Sequence, residues 1–377
     1  MTLFELRNCE KEIYIYCAGV AGQAVYGLLK KAGISITAFI DNDIEKNQTT
    51  IVDDLLCFLP DNIQDKETCI VIIGISKTYY KEVFQTVKSQ GFSRIHDVND
   101  LIDDIILNER NLYLEYISYY GEIPFAELFF VDCKIPQITN KRFVTNKRIA
   151  VYTSVFGDYD PIRDPECVCD NVDYYYIADY QYENVKVYKW IDASSIVPDY
   201  LDNPIKRNRY VKMHPHLIFP EYDYSIYVDG NINLIGDVNC FVLDSKTGIS
   251  VFHHPHRDCL FYEALAVSNF KRVNTDDVIQ HMERYLSEGM PIHFGLPEMS
   301  VIGRAHNRDI CIKIMEEWWN EFQIGAQRDQ LSFMYVVWKN ACSLKDVALI
   351  GSDFRKSSVL TVSKHKEDSH KIKNESI

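Results

Sequence analysis

The strongest constraint on this chain is a repeated order of residues, in which a short β-prone apolar run stops at a glycine or an acid and gives way to a helical pattern. Ile13-Tyr14-Ile15-Tyr16 leads into Cys17-Ala18-Gly19-Val20-Ala21-Gly22 and then into an apolar-periodic stretch from Ala24 to Ala32. Gly33 ends that helix, and Ile34 to Ile40 forms a second strand that finishes on Asp41-Asn42-Asp43. Strand, tight turn, helix and strand in that order make a βαβ unit. Other runs end in the same way: Cys69 to Ile73 on Gly74, Asp173 to Ala178 on Asp179, and Tyr224 to Val228 on Asp229. A chain of this kind folds as α/β, and the carboxyl ends of its strands line the ligand cleft.

At roughly 150 residues per domain, 377 residues predict two or three domains. With 54 Asp and Glu against 40 Lys and Arg, the formal charge is −14, a field that repels phosphate backbones and excludes non-specific nucleic-acid partners. A phosphate-bearing ligand therefore needs a local basic group, a helix N-terminus or a bound cation. A hydrophobic share of 47% excludes disorder for most of the chain. No apolar run approaches the roughly 20 residues that cross a bilayer, so the expected location is cytoplasmic. The 11 cysteines are scattered, and several, such as Cys17, Cys57 and Cys69, lie in apolar context, as expected of buried reduced thiols.

Residues 1–100 read as a Rossmann-like domain, with a further helix from about Lys77 to Gln90 and a short strand at Arg94-Ile95-His96. Gly19 and Gly22 take the second and third places of a dinucleotide fingerprint whose first place holds Cys17, and Asp41 stands where that motif has its ribose-binding acid. The region resembles nucleotide-binding-like N-terminal domains of bacterial sugar-modifying proteins. Gly19, Gly22 and Asp41 are its candidate ligand residues; the alternative is that the glycines only let strand and helix pack closely. Residues 101–147 read as a helical linker, in which Tyr113, Tyr116, Tyr119 and Tyr120 fall at helical spacing as an interdomain packing face.

A second sheet begins at Arg148 to Ser154, followed by the loop Val155-Phe156-Gly157-Asp158-Tyr159-Asp160. After the Asn203-Pro204 turn, Lys206 to Leu217 predicts a helix that carries Arg207, Arg209 and Lys212 and is cut short by Pro215. The strand Tyr224 to Val228 runs straight into Asp229-Gly230-Asn231, an acid and an amide one residue apart. That spacing puts two hard oxygen ligands on one side of a turn, as a divalent cation across a diphosphate requires. Turn chemistry alone also accounts for Asp, Gly and Asn there. His253, His254, His256 and Cys259, with His214 and His216, are candidate zinc ligands by type, but Pro255 makes the segment extended and points neighbouring side chains apart. Gly295-Leu296-Pro297-Glu298 predicts a turn bearing an acid, with a strand from Met299 to Ile302.

These motifs occur in one order with Asn208-Arg209, Lys212, Pro215-His216, Tyr262-Glu263-Ala264, Trp318-Trp319 and Arg328-Asp329-Gln330-Leu331-Ser332-Phe333. Together, over roughly residues 148–340, they resemble a glycosyltransferase-like family with bacterial surface-polysaccharide and plant mucilage-related members. The resemblance implies a GT-A-type nucleotide-diphospho-sugar transferase domain, built on a mixed sheet and carrying a D-x-D metal motif. Here Asn231 takes the second acidic place of that motif.

The implied metal ligands are Asp229 and Asn231, with Mn2+ or Mg2+ as the cofactor. Donor-binding candidates are Asp158, Asp179, Arg209, Lys212, Asp229, Asn231, His254, His256 and Arg257. Asp329, Gln330 and Glu298 are the candidate catalytic residues, Glu298 as a base or acceptor contact, with a helix N-cap as the other role open to Asp329. The expected fold is α/β: a Rossmann-like domain over 1–100, a helical linker over 101–147, a GT-A-type domain over 148–350 and a basic flexible tail over 351–377. That tail carries Arg355, Lys356, Lys364, Lys366, Lys371 and Lys373 and offers a weak contact to an anionic membrane surface, with His365 or His370 as a late metal ligand. The expected function is transfer of a sugar from a nucleotide-sugar donor to a glycan or lipid-linked acceptor in bacterial surface polysaccharide synthesis. The alternatives are a non-catalytic nucleotide-sugar-binding or scaffold protein and an NAD-dependent sugar-modifying enzyme, the latter opposed by the missing first glycine.

Overall fold

The computed structural model describes residues 2–75, 77–122, 147–157, 159–269 and 273–363. Asp158 and everything beyond Ser363, including His365, His370 and the tail lysines from Lys364 onward, lie outside the described residues. The chain divides into two compact units, one made of residues 1–132 and 261–292, the other of residues 133–260 and 293–377.

In the first unit, strands β1 (Ile13–Tyr16), β2 (Ala38–Ile40), β3 (Thr50–Val52), β4 (Leu55–Phe58), β5 (Ile70–Ile73) and β6 (Arg94–Asp97) form one sheet in the order β3-β4-β2-β1-β5-β6. All pairings are parallel except β3 with β4. Both β1 and β5 are wholly buried, as strands covered on both faces must be. The second strand is shorter than the apolar run that predicted it, because only its last three residues pair with β1. The β3–β4 hairpin carries no clear sequence signal: it lies at the sheet edge with one buried residue, Cys57.

Helices α1 (Leu3–Arg7), α2 (Val20–Lys31), α3 (Lys77–Ser89), α4 (Asn99–Asn108) and α5 (Arg110–Glu122) complete the amino-terminal part. At the start of α2, a Cβ on Gly22 would sit 1.8 Å from the Cys17 carbonyl oxygen, so glycine is required there for chain contact. Cys17 itself holds the left-handed φ of +77° that the fingerprint glycine would supply.

The second unit opens with β7 (Ile149–Ser154), β8 (Val172–Ala178) and β9 (Lys189–Asp192), followed by α6 (Pro204–Met213), α7 (Pro215–Ile218), β10 (Tyr224–Val228), β11 (Ile232–Leu234) and β12 (Ile249–His253). The chain then makes α8 (Leu260–Asn269) and α9 (Thr275–Ser287), which belong to the first unit apart from Leu260. There the Tyr113 hydroxyl on α5 donates to the Phe261 carbonyl at 2.9 Å, and Asn269 donates to the Tyr120 carbonyl at 2.8 Å. On the same helix, Tyr116 and Tyr119 donate to carbonyls of Leu28 and Ala24 in α2. The tyrosine face expected between domains is thus used inside one unit, because residues spaced three and four apart reach both a preceding and a returning helix.

After α9 come β13 (Pro297–Arg304), α10 (Asp309–Ile324), α11 (Phe333–Lys339), β14 (Ala348–Gly351) and β15 (Leu360–Val362). The main sheet of the second unit has the order β14-β12-β13-β10-β7-β8-β9, with β13 antiparallel to both neighbours and the other pairs parallel. This is the mixed sheet the resemblance implies. Two expectations are corrected here. Glu298 stands inside β13 and is buried, where a turn was expected, since proline is tolerated as the first residue of a strand and β13 begins at Pro297. Residues 351–363, assigned to a flexible tail, are fixed by β14, a 3₁₀ turn at Phe354–Lys356 and β15, which pairs antiparallel with β11. Phe354 and Leu360 are the buried anchors of that segment.

Candidate functional site

The site builds from α6. Asn203 caps it, accepting from the amides of Ile205 and Lys206 at 2.8 and 3.4 Å, and Pro204 supplies a preset φ at the first position. Arg209 and Lys212, three residues apart, share one face, and that face turns inward. The Lys212 ammonium lies 2.7 Å from Asp329 Oδ2 and 3.7 Å from Asp229 Oδ1, and Arg209 Nε lies 3.0 Å from Asp329 Oδ2. Lys212 and Asp329 are buried, whereas Asp229 keeps 30% of its side chain exposed. Two acids a hundred residues apart in sequence therefore share one lysine at the carboxyl end of β10.

Burial pulls the Lys212 ammonium below its ordinary value, against the opposing pull of Asp229 and Asp329. For Asp329 burial alone would raise the pKa, but Arg209 and Lys212 override it and hold the carboxyl well below the usual carboxylate range. The Asp329 carboxylate is thus taken up by ion pairs, and Ser332, which precedes the next helix, makes no side-chain cap to it and donates instead to the Asp329 carbonyl. The Trp318 indole donates to the Asp329 carbonyl at 2.8 Å and fixes its backbone.

Behind Lys212 stands Arg304, the last residue of β13 and fully buried. Its guanidinium donates to the Lys212 carbonyl at 2.6 Å and to the Tyr152 hydroxyl. Among the described residues it has no carboxylate partner. Arg209, Lys212 and Arg304 thus gather around Asp229 and Asp329, in a protein of net charge −14. Sequence reasoning missed Arg304 and Tyr152; the available signal was a charge ending the apolar run Val301-Ile302-Gly303-Arg304.

A second cluster surrounds Glu298. His254 Nε2 lies 3.8 Å from Glu298 Oε1, and Arg355 Nη1 lies 3.2 Å from the same oxygen. His254 Nδ1 accepts from the amides of His256 and Arg257 at 3.2 and 3.0 Å, and the Arg257 guanidinium lies 3.3 Å from its Nε2. Burial, with Arg257 and His256 nearby, pushes the His254 pKa down to about 2. The two clusters are joined through β13: the Asp229 amide donates to the Ser300 carbonyl at 2.9 Å, and Gln330 Nε2 to the Pro297 carbonyl at 3.2 Å.

The other predicted residues fall less centrally. Asp179, at the end of β8, pairs with Arg207 at 2.6 Å. The Asn231 side-chain amide donates to the Ser363 carbonyl at 3.3 Å, so its nitrogen is turned toward β15. His214 and His216 meet Glu316 at 3.8 and 2.8 Å, and no three His, Cys, Asp or Glu side chains among the described residues converge to hold a metal ion. In the first unit Asp41 accepts from the Ala18 amide at 2.8 Å, from the Asp43 amide at 3.1 Å and from Lys46 at 3.0 Å. The acid that a ribose would need is engaged by the glycine loop beside it.

The family model of the TOD1/MUCI70 glycosyltransferase-like domain matches residues 134–365. The chain belongs to this family. Within it, a probable hexosyltransferase, MUCI70, from Arabidopsis thaliana is 25% identical over 218 residues, 50% of this chain and 37% of that protein. The alkaline ceramidase TOD1 of the same plant is 26% identical over 270 residues, 60% of this chain and 56% of its own length. The chain thus spans between about a third and just over half of the length of these family members. Among solved structures, the apo form of the bifunctional glycosyltransferase WbbM aligns with 56% of this chain and 40% of its own at 10% identity, with a TM-score of 0.33. The family match contains every residue of both clusters.

Proposed function

We propose that the chain is a glycosyltransferase that moves a sugar from a nucleotide-sugar donor to a glycan or lipid-linked acceptor in surface polysaccharide synthesis on the cytoplasmic side. The observation that carries this reading is the cluster of basic side chains gathered around Asp229 and Asp329 beside the carboxyl end of β10, in a strongly acidic protein. Arg209, which keeps about a fifth of its side chain exposed, would meet a diphosphate, and Lys212 and Arg304 add fixed charges behind it that cost no reorganisation during reaction. Asp229, the more exposed acid, is the residue that would hold Mn2+ or Mg2+, with the diphosphate supplying further oxygens. A cation there would stabilise the charge of the leaving nucleotide. Asn231 belongs to this reading only through its oxygen. Glu298, paired with Arg355 and beside His254, suits an acceptor hydroxyl or a base role.

Replacing Asp229 by Ala is expected to abolish transfer and donor hydrolysis while leaving the far-UV spectrum unchanged. A thermal-shift screen of nucleotide sugars with and without manganese should identify the donor first. Full activity of Asp229→Ala would remove the assignment. A second reading, nucleotide-sugar binding without turnover, is favoured by the turn of the Asn231 amide toward Ser363; tight donor binding with no transfer and no hydrolysis would support it.

A further inference from the structure

We propose that residues 353–363 form a clasp across both acid-bearing segments of the site, and that Arg355 within it is the positioning residue for Glu298. The clasp is anchored at its start by Asp353, whose Oδ1 accepts from the Arg355 amide at 3.0 Å and lies 3.2 Å from Arg355 Nη1. The same Nη1 lies 3.2 Å from Glu298 Oε1. One guanidinium nitrogen therefore ties the 3₁₀ turn to β13. Phe354 is buried and packs on Phe252, the residue of β12 in register with Glu298.

The far end of the segment holds the other turn. The amides of Ile235 and Gly236 donate to the Val359 carbonyl at 2.8 and 3.1 Å. Leu360–Val362 pairs with Ile232–Leu234, and Ser363 closes on Asn231 twice, its amide donating to the Asn231 carbonyl at 2.8 Å and its carbonyl accepting from Asn231 Nδ2 at 3.3 Å. Asp229-Gly230-Asn231 and Glu298 are thus referenced to the same short stretch of backbone.

A charge-assisted bond from a cation fixes a nearly buried carboxylate in one rotamer. Arg355 supplies that cation from a side chain that is itself half-exposed, and so acts through Glu298.

The role of Arg355 in turnover rests on the glycosyltransferase reading; the clasp does not. The first test is a double-mutant cycle on the full chain. Arg355→Gln should lower turnover at least tenfold with the donor KM within twofold, Arg355→Lys should recover most of it, and Arg355→Gln added to Glu298→Gln should cost less than twofold more. Additive losses, or a loss carried by donor KM, would overturn the positioning role. The second test needs no activity. By hydrogen exchange, Arg355→Gln should raise deuterium uptake over 253–257 and 295–300, and Ser363→Pro, which deletes the amide donor, should raise it over 230–236. Uptake unchanged in both variants overturns the clasp. A wild-type chain that turns over no nucleotide sugar removes the glycosyltransferase reading, and with it the turnover role of Arg355, and leaves the exchange result to decide the clasp.

Discussion

Lys212 is the residue on which most of the site converges, and its burial sets the scale of what its removal would do. Lys212→Met would leave Asp329 buried with Arg209 as its nearest remaining cation, and breaking a buried pair from one side costs about 3–5 kcal/mol. Urea unfolding should read that loss, and Lys212→Met combined with Asp329→Leu should recover a large part of it, because the uncompensated charge is then gone. A single-variant loss under about 1 kcal/mol would mean water reaches the pair.

The histidines make a second prediction at this scale. Burial lowers His254 to about 2 and His306 to about 4, while the unfolded chain titrates near 6.5. Both are depressed in the fold, so their contribution is complete above about pH 6.5 and is lost as pH falls toward the folded values. Each should cost ~2 kcal/mol by pH 5, a difference that urea midpoints at pH 7 and pH 5 would show. His306→Gln should flatten part of that slope.

At the scale of elements, two glycines bring backbones together where no side chain fits. A Cβ at Gly22 meets the Cys17 carbonyl at 1.8 Å, and one at Gly303 meets the Phe241 carbonyl at 2.0 Å. Alanine at either position should cost about 1–3 kcal/mol or more, read as a lowered urea midpoint, with Gly22→Ala acting on the first unit and Gly303→Ala on the second.

Elements were legible where local pattern and burial agree. Tyr224–Val228 and the break at Pro215 follow directly from β-branching, apolarity and proline chemistry, and the spacing of Arg209 and Lys212 placed both on one face. Which way that face turned was not legible, because the partner acids lie 17 and 117 residues further along the chain for Lys212 and only tertiary contact selects them. The 353–363 segment reads as tail because its anchors, Phe354 and Leu360, are isolated among polar residues and draw their stability from β11 and β12. Arg304 was passed over for a related reason: a buried cation without a carboxylate is the case that residue statistics count against.

At the scale of the whole molecule, charge and connectivity matter more than any one contact. The excess of acid and the buried cations Lys212 and Arg304 act at different ranges, the first screened over about 8–10 Å at physiological salt, the second shielded from solvent. Donor affinity should therefore depend weakly on ionic strength; a steep loss between 50 and 300 mM salt would place the binding charges at the surface. Connectivity gives another prediction. Residues 261–292 return to the first unit, where Phe261, Tyr262 and Leu265 are buried. A fragment of residues 148–377 leaves that apolar face without its cover, and should appear in the insoluble fraction or the void volume of a sizing column under conditions where the full chain is monodisperse.

The same thread has a consequence for inheritance. A polypeptide that passes from one unit to the other at 132/133, 260/261 and 292/293 cannot be shuffled as two cassettes joined at a linker. Exchange of the amino-terminal unit would have to replace α8 and α9 along with it, from inside the transferase-like sequence.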